Sequence, residues 1–299
     1  MASQAFDEIV ATLRGAQRVG NPPVAEMREG WEKFANQVPP AKDLCFEPVD
    51  AEGVPAEWSL APGIDESRVV LFFHGGGYNI GSIRSYRDFT GRISRASAAR
   101  VLSVGYRLAP EFPFPAAVDD TVTAYRWLRR QGVVARRILF AGDSAGGGLV
   151  LAALVKLRDA GDDPPAAAMC VSPSTDLAKE GESMRTKADV DPIVRYDTSM
   201  AHALRYVGEK GDLKHPLASP LYADMHGLPP LLILVGTNET LLDDSTRVAD
   251  KARAAGVDVE LEIWDDMIHI WPFFAAILPE GQQAIERMGR FARAQVASA

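Results

Sequence analysis

The feature that most constrains the fold of this chain is a set of five short segments in which apolar residues do not alternate with polar ones. They are rich in Val, Ile, Leu and Phe, and they lie at 68–73, 101–106, 137–142, 166–172 and 231–237. An alternating strand keeps one face for water, whereas strands of this kind are buried on both faces. They therefore predict a parallel sheet that is covered by helices.

Helical segments lie between several of these strands, at Ala117–Arg130, Ala145–Ala160 and Ser245–Ala255. Another helix, from about Gly281 to Val296, closes the chain. Strands that alternate with helices predict an α/β fold with a mostly parallel central sheet. The segment 257–264 does alternate, with apolar residues on one face, so we expect a strand near the sheet edge.

Composition and charge exclude several classes of protein. The chain has 299 residues, 47% of them hydrophobic, which is enough to bury a large core. Its net charge of -8 repels phosphate backbones, so we expect no nucleic-acid partner. No apolar run reaches the ~18 residues of a membrane span, and the N-terminus lacks the pattern of a signal peptide. The absence of these signals predicts a cytoplasmic protein.

The cysteines and histidines show no metal-binding pattern. Cys45 and Cys170 lie in mostly apolar sequence, which predicts reduced thiols packed as small hydrophobic side chains. The five histidines are far apart and form no HExxH motif or His/Cys cluster. We therefore predict neither a metal site nor a cofactor.

The sequence Gly142–Gly146, GDSAG, fits the pattern G-x-S-x-G between a buried strand and a helix. Such a serine lies on a tight turn, where its hydroxyl projects above the sheet and the glycines prevent Cβ clashes. A serine that only capped the helix would not require four glycines around it. The motif predicts that Ser144 is a nucleophile.

A serine nucleophile needs a base and an acid that orients the base. His269 follows the last predicted strand, where this fold places the base. The acid should follow the strand 231–237, and the candidates are Glu239, Asp243 and Asp244. Glu239 is favoured because it is nearest the strand end, while either aspartate could instead cap the next helix.

Several motifs together carry a family resemblance. They are HGGG at 74–77, YRLAPEFPFPAAVDD at 106–120, GDSAGG at 142–147, SPSTDL at 172–177 and MIH at 267–269. With them the chain resembles the bacterial hormone-sensitive-lipase-like (family IV) carboxylesterases of the α/β-hydrolase superfamily. One position departs from the pattern, since the family usually has Asp-Pro-Leu where this chain has Glu239-Thr240-Leu241.

The glycine triplet after the strand 68–73 suits an oxyanion hole. Acyl transfer passes through an oxyanion, which backbone N–H groups stabilise, and glycines let the backbone approach closely. Ala145, the residue after the nucleophile, supplies one N–H group. The resemblance implies Gly76 and Gly77 as the other donors, with Gly75 as flanking geometry. We expect His74 to hold this loop by a hydrogen bond.

The resemblance also implies a helical cap over an α/β-hydrolase core. By their places in the chain, residues 1–45 and 179–215 match the cap of the family. Residues 46–178 and 216–299 match the catalytic core. Such a cap shapes the substrate pocket. Candidate pocket walls are Tyr78, Tyr196, Met200 and Leu204, although apolar residues of this kind are equally typical of plain core.

The implied activity is hydrolysis of carboxylic esters with short to medium acyl chains through an acyl-enzyme on Ser144. Hydrolysis of a lactone or an amide by the same triad is the main alternative. A non-catalytic small-molecule receptor on this fold is less favoured, because such receptors lack the histidine that this chain keeps. The edge strand 257–264 predicts a homodimer, since exposed edges invite pairing between subunits.

Overall fold

The computed structural model describes residues 3–16, 22–208 and 210–297. Within them, eight strands form one sheet of order β1-β2-β4-β3-β5-β6-β7-β8. The strands are β1 (Cys45–Asp50), β2 (Pro55–Leu60), β3 (Asp65–Phe73), β4 (Ala99–Val104), β5 (Ile138–Asp143), β6 (Ala167–Val171), β7 (Leu231–Gly236) and β8 (Val259–Trp264).

The sheet is mostly parallel, as predicted. Strands β1 and β2 form an antiparallel pair, and β2 is also antiparallel to β4. All the other neighbours, from β4 through β3 to β8, are parallel. The predicted edge position of the alternating segment is confirmed, because β8 is the last strand of the order.

Nine α-helices accompany the sheet in the described residues. They are α1 (Gln4–Ala16), α2 (Val24–Ala35), α3 (Arg87–Ser97), α4 (Ala116–Arg130), α5 (Ala145–Ala160), α6 (Ser183–Thr186), α7 (Tyr196–Val207), α8 (Leu242–Ala254) and α9 (Pro279–Ala297). The helix expected to begin at Ser245 begins three residues earlier. Short 3-10 turns connect several of these elements.

Both faces of the central strands are buried, which confirms the layered α/β architecture expected from the apolar segments. In β3, Val69, Leu71 and Phe73 belong to a core that also holds buried residues of α4, α5 and α8. The alternate residues Val70 and Phe72 belong to a second core with α1, α3 and α9. A strand of this kind needs an apolar residue at every position, because each side chain meets one core or the other.

Elements from the two predicted cap segments lie above the end of the sheet where β3 and β5 finish. In α2, Trp31 packs against Tyr86 and Phe273, with ring centroids 6.3 and 5.3 Å apart. In α7, Tyr206 stacks on Tyr78 at 3.8 Å. The division into cap and core remains a prediction, and residues 1, 2 and 17–21 of the first segment lie outside the described residues.

Two further findings concern membrane spans and the two cysteines. None of the helices in the described ranges is long and apolar enough to cross a membrane. Cys170 is buried, as predicted, but Cys45 is exposed. The prediction for Cys45 was wrong because this residue begins β1, an outer strand with little covering it.

Candidate active site

Ser144 lies on a sharp turn between β5 and α5. Its φ of +52° falls in the left-handed region that side chains seldom adopt. The turn depends on its glycines, because a Cβ on Gly142 would meet the backbone of Gly146 at 2.5 Å. A Cβ on Gly146 would in turn collide with the carbonyl oxygen of Phe73. The sequence therefore folds into a turn that presents the serine above the sheet.

The structure brings Ser144, His269 and Glu239 into one chain of hydrogen bonds. Ser144 Oγ lies 2.9 Å from His269 Nε2, and His269 Nδ1 lies 3.0 Å from Glu239 Oε2. In the tautomer protonated at Nδ1, the histidine donates to the glutamate and accepts from the serine. This arrangement can take a proton from the hydroxyl.

The two other candidate acids lie elsewhere. Asp243 Oδ2 accepts from the backbone N–H of Ser183 at 2.9 Å. Asp244 Oδ2 accepts from the backbone N–H groups of Thr175 and Asp176 at 2.7 and 2.9 Å. Neither aspartate makes a hydrogen bond with His269 in the described part of the chain.

Glu239 is fully buried and has two donors besides His269. Ser172 Oγ and the backbone N–H of Gly236 donate to its Oε1 at 2.8 and 2.6 Å. Burial raises the pKa of Glu239, while the hydrogen bonds from His269 and Gly236 oppose that rise. These donors stabilise the ionised carboxylate in a site that water does not reach.

The charge state of His269 depends on its contact with Glu239. Burial favours its neutral form, but the hydrogen bond and the negative charge of Glu239 outweigh burial and raise the pKa of His269. The imidazole is therefore a stronger base than an ordinary histidine.

Ser172 was not predicted as a site residue, although it begins the SPSTDL motif. Besides donating to Glu239, its Oγ accepts from the backbone N–H of Ile270 at 3.2 Å. Its φ of +47° is again left-handed. Ser172 thus ties the loop that carries Glu239 to the loop that carries His269.

The glycine loop leaves two of its three N–H groups free for a ligand. Gly75 N donates to Asp143 Oδ1 at 2.9 Å, and it also lies 3.1 Å from Tyr86 Oη. Within the described residues, the N–H groups of Gly76, Gly77 and Ala145 have no acceptor. Gly76 and Gly77 have φ values of +114° and +60°, which glycine adopts readily. This set of donors can bind an oxyanion.

Asp143, the residue before the nucleophile, is a second site residue that the sequence did not single out. It accepts from Gly75 N and, at 2.8 Å, from Tyr86 Oη. Burial raises its pKa to about 7 against the opposing effect of these hydrogen bonds. Asp143 therefore connects the turn of Ser144 to the glycine loop.

His74 makes the hydrogen bond that was predicted for it. Its Nδ1 lies 2.7 Å from the carbonyl oxygen of Gly75, so the ring supports the glycine loop. Tyr106 stacks on the ring at 4.3 Å and donates to the carbonyl oxygen of His74. Burial lowers the pKa of His74 to about 4, which keeps the ring neutral.

A cavity of about 220 Å³ opens over Ser144 and His269. Its wall is mostly apolar and includes Trp31 from α2 and Leu241 from the loop of Glu239. Tyr78 lines it as expected, whereas Tyr196, Met200 and Leu204 do not. The helix α7 turns a different face to the cavity, which carries Thr198, Ser199, His202 and Ala203.

Asp191 fastens the inserted segment to the loop of Glu239. It is 3% exposed, and its Oδ2 accepts from the backbone N–H and the hydroxyl of Thr240 at 2.9 and 3.1 Å. Its Oδ1 accepts from the backbone N–H groups of Ile193 and Val194, two residues of the cavity wall.

The class of protein follows from this fold and from comparison with known families. A model described as the alpha/beta hydrolase fold matches residues 70–273, which is more than half of the chain. The chain therefore belongs to the α/β-hydrolase fold family.

Particular relatives narrow the comparison to bacterial esterases. An acetyl-hydrolase of Streptomyces hygroscopicus is 44% identical over 262 residues, which cover 88% of this chain and 86% of that protein. A solved esterase of the bacterial hormone-sensitive lipase family is 49% identical, with a TM-score of 0.96 and 99% of both chains covered. The esterase EstE5, soaked with p-nitrophenyl butyrate, is 47% identical, with a TM-score of 0.96 over 99% of this chain and 100% of that one. These relatives confirm the predicted family resemblance, and they place the chain among carboxylic ester hydrolases.

Proposed function

We propose that this protein is a serine carboxylesterase that hydrolyses short-to-medium acyl esters through an acyl-enzyme on Ser144. The observation that carries the proposal is the unbroken series of contacts from Ser144 Oγ through His269 to Glu239. Ser144 lies beside the N–H groups of Gly76, Gly77 and Ala145, which have no acceptor among the described residues. A receptor without catalysis would have no use for a base in contact with the serine.

The first half of the reaction forms the acyl-enzyme. Ser144 Oγ attacks the carbonyl carbon of the ester while its proton passes to His269 Nε2. The carbonyl oxygen becomes an oxyanion that accepts from the N–H groups of Gly76, Gly77 and Ala145. When the intermediate collapses, the bond to the alcohol oxygen breaks and that oxygen takes the proton from His269.

The second half returns the enzyme to its starting state. A water molecule gives a proton to His269 Nε2 and attacks the acyl carbon, which forms the second oxyanion. Collapse releases the carboxylic acid, and the proton on His269 returns to Ser144 Oγ. Throughout, Glu239 holds the imidazole in the tautomer that the proton transfers require.

The size of the cavity supports short to medium acyl chains. Its volume of about 220 Å³ lies below the about 300–1,000 Å³ of pockets for drug-sized ligands. Its mostly apolar wall suits an alkyl chain, and the glycine loop forms part of it. The cytoplasmic location remains a prediction.

The test uses p-nitrophenyl esters of increasing acyl length, with an organophosphate and a Ser144→Ala variant. We expect turnover that is highest for short to medium chains, and a covalent phosphoryl adduct on Ser144 detected by mass spectrometry. We expect Ser144→Ala to lose turnover by a factor of about 10³ or more. An active enzyme that forms no adduct on Ser144 would overturn the assignment of the nucleophile.

A further inference from the structure

Lys179 brings a positive charge into the wall of the catalytic cavity, and the mechanism above gives it no task. The residue is only 7% exposed, and it lines the same cavity as Ser144 and His269. Its φ of +58° is left-handed, which is uncommon for a residue with a side chain. Such outliers persist where the surrounding structure holds them, and they cluster at functional sites.

The ammonium group has more donors than the protein uses. Lys179 Nζ donates a long hydrogen bond of 3.5 Å to Ser174 Oγ, and an ammonium carries three N–H donors. Burial lowers the pKa of Lys179, and the charges of Asp244 and Asp176 oppose this. In the described residues, neither aspartate forms an ion pair with Lys179.

Both of those aspartates already have other donors. Asp176 Oδ2 accepts from Arg247 Nη1 at 2.8 Å, and its Oδ1 accepts from Tyr222 Oη at 3.0 Å. Asp244 Oδ2 accepts from two backbone N–H groups. Neither aspartate lines the cavity. Their negative charges favour the protonated form of Lys179, but they do not pair with its N–H groups.

The cavity wall presents a second unused polar atom. His202 Nε2 is buried and has no hydrogen-bond partner within the described ranges, and His202 lines the cavity. Burial, together with the charges of Arg205 and Lys179, lowers its pKa to about 4, so the ring is neutral. No acidic side chain of the described residues lines this cavity. The wall therefore offers donors and one cation, but no anion.

We propose that Lys179 binds a carboxylate on the ester substrate, so that the enzyme prefers anionic esters to neutral esters of the same shape. A buried ammonium is costly without a partner, and a substrate carboxylate would complete the pair. A charge-assisted hydrogen bond of this kind corresponds to a preference of roughly 10- to 100-fold. The proposal rests on the ester hydrolysis proposed above, and it names the substrate class of the same site.

The experiment compares two pairs of esters that differ in one charged group. Monoethyl succinate carries a carboxylate on the acyl side, and ethyl levulinate has a methyl ketone in its place. 3-Acetoxypropanoate carries a carboxylate on the alcohol side, and 4-acetoxy-2-butanone is its neutral counterpart. The measured quantity is the ratio of kcat/KM for the charged ester to that for the neutral ester. We expect wild-type protein to give a ratio above one in one of the pairs, which identifies the side of the ester that Lys179 contacts.

Variants then assign the preference to the lysine. In Lys179→Met we expect the charged-to-neutral ratio to fall about 10- to 100-fold. In Lys179→Arg we expect a smaller fall, because the positive charge is retained. The matched control is Lys214→Met, the same change at an exposed lysine that pairs with Glu180 at 2.5 Å. We expect this control to keep the wild-type ratio.

Three outcomes would overturn the proposal. Wild-type protein could hydrolyse both neutral esters at least as fast as their charged partners, a result that stands even if Lys179→Met fails to fold. Lys179→Met could keep the wild-type ratio, which would assign the lysine to support of Asp176 and Asp244 alone. Wild-type protein that turned over neither these four esters nor the p-nitrophenyl esters would instead contradict the proposed ester hydrolysis itself, together with everything that rests on it.

Discussion

The glutamate at position 239 reaches His269 with one more methylene than the aspartate usual in the family that the chain resembles. One of its carboxylate oxygens accepts from His269, while the other accepts from Ser172 and Gly236. A buried acid with this many donors is fixed in position, and it fixes the imidazole in turn. Glutamate therefore suits this position because its surroundings hold the longer side chain.

The role of Glu239 can be tested by removing its charge alone. We expect Glu239→Gln to lower kcat by a factor of about 10³–10⁴, because the amide cannot stabilise the imidazolium and favours the wrong tautomer. Steady-state kinetics with p-nitrophenyl butyrate measures the loss. Asp243→Asn is the matched control, since Asp243 accepts from Ser183 N and lies away from His269. Near-normal activity of Glu239→Gln would contradict the assignment.

The pH dependence of activity should report on His269. The histidine works as a base only when it is neutral, so activity is lost as the pH falls through its pKa. That pKa is raised by Glu239, so we expect the acidic limb of kcat/KM above the ordinary value of about 6.5.

A pH profile of kcat/KM in wild-type protein measures this limb directly. The residual activity of Glu239→Gln should show it at lower pH, because the negative charge that favours the imidazolium is gone. A wild-type limb well below pH ~6.5 would show that the glutamate does not raise the pKa of His269.

At the scale of single residues, the sequence predicted the positions that come together but not their supporting partners. Ser144 was predicted from its motif, and His269 and Glu239 were predicted from their positions after predicted strands. Ser172 and Asp143 were missed, although both lie inside recognised motifs. Their roles depend on which loops touch, and that is decided by distances that no local pattern contains.

Helix α7 shows what periodicity can and cannot predict for an element. The apolar residues Tyr196, Met200 and Leu204 were predicted as pocket walls, with plain core as an equal alternative. In the structure, Tyr196 and Leu204 are 55% and 49% exposed, and the face with small and polar residues meets the cavity. Amphipathicity gives the faces of a helix, but it does not tell which of them meets the substrate.

Helix α3 was not predicted from the sequence at all. Its segment, Arg87–Ser97, contains a glycine, a threonine and two serines, all of them weaker helix formers than alanine. Packing supplies what propensity lacks, because Phe89 and Ile93 are buried in the core between the sheet and α9. The helix is therefore specified by tertiary contacts.

Asp191 links the inserted segment to the loop that carries Glu239, through its contact with Thr240. We expect Asp191→Ala to lower the free energy of unfolding by about 2 kcal/mol, because it leaves several buried N–H groups without an acceptor. The same change should lower kcat/KM, since Thr240 adjoins Glu239. Urea unfolding and ester kinetics measure the two effects.

Asp189→Ala is the matched control for this variant. Asp189 is exposed and stands two residues earlier in the same segment, so we expect its unfolding free energy to change by less than about 0.5 kcal/mol. Equal effects of the two substitutions would mean that Asp191 does not fasten the segment.

For the molecule as a whole, the run of apolar strands was the most informative signal. It predicted the layered architecture because burial on both faces requires apolar residues at every position of a strand such as β3. The exposed Cys45 escaped prediction because an outer strand can carry apolar sequence without being covered.

Assembly is the prediction that belongs to the whole molecule. Strand β8 ends the sheet, and its Ile263 is 47% exposed. An edge of this kind can pair with a second copy of itself. We therefore expect a homodimer, detected by sedimentation as about twice the chain mass of 32.4 kDa.

A charge on the edge should prevent that pairing. We expect Ile263→Lys to sediment as a monomer, because a lysine at the strand edge disfavours the approach of another strand. Ile277→Lys makes the same change at a residue that is 55% exposed outside the strand, and it should leave the dimer intact. Wild-type protein that sediments near the monomer mass at micromolar concentration would remove the prediction.

The contact between Asp143 and Gly75 also bears on how this enzyme can be re-engineered. The two residues are 68 positions apart, yet one hydrogen bond joins the nucleophile turn to the glycine loop. A chimaera that imported the glycine loop from a relative with another residue at position 143 would separate two parts that were shaped together. The loop, the residue before the nucleophile and Tyr86 should therefore be exchanged as a single cassette.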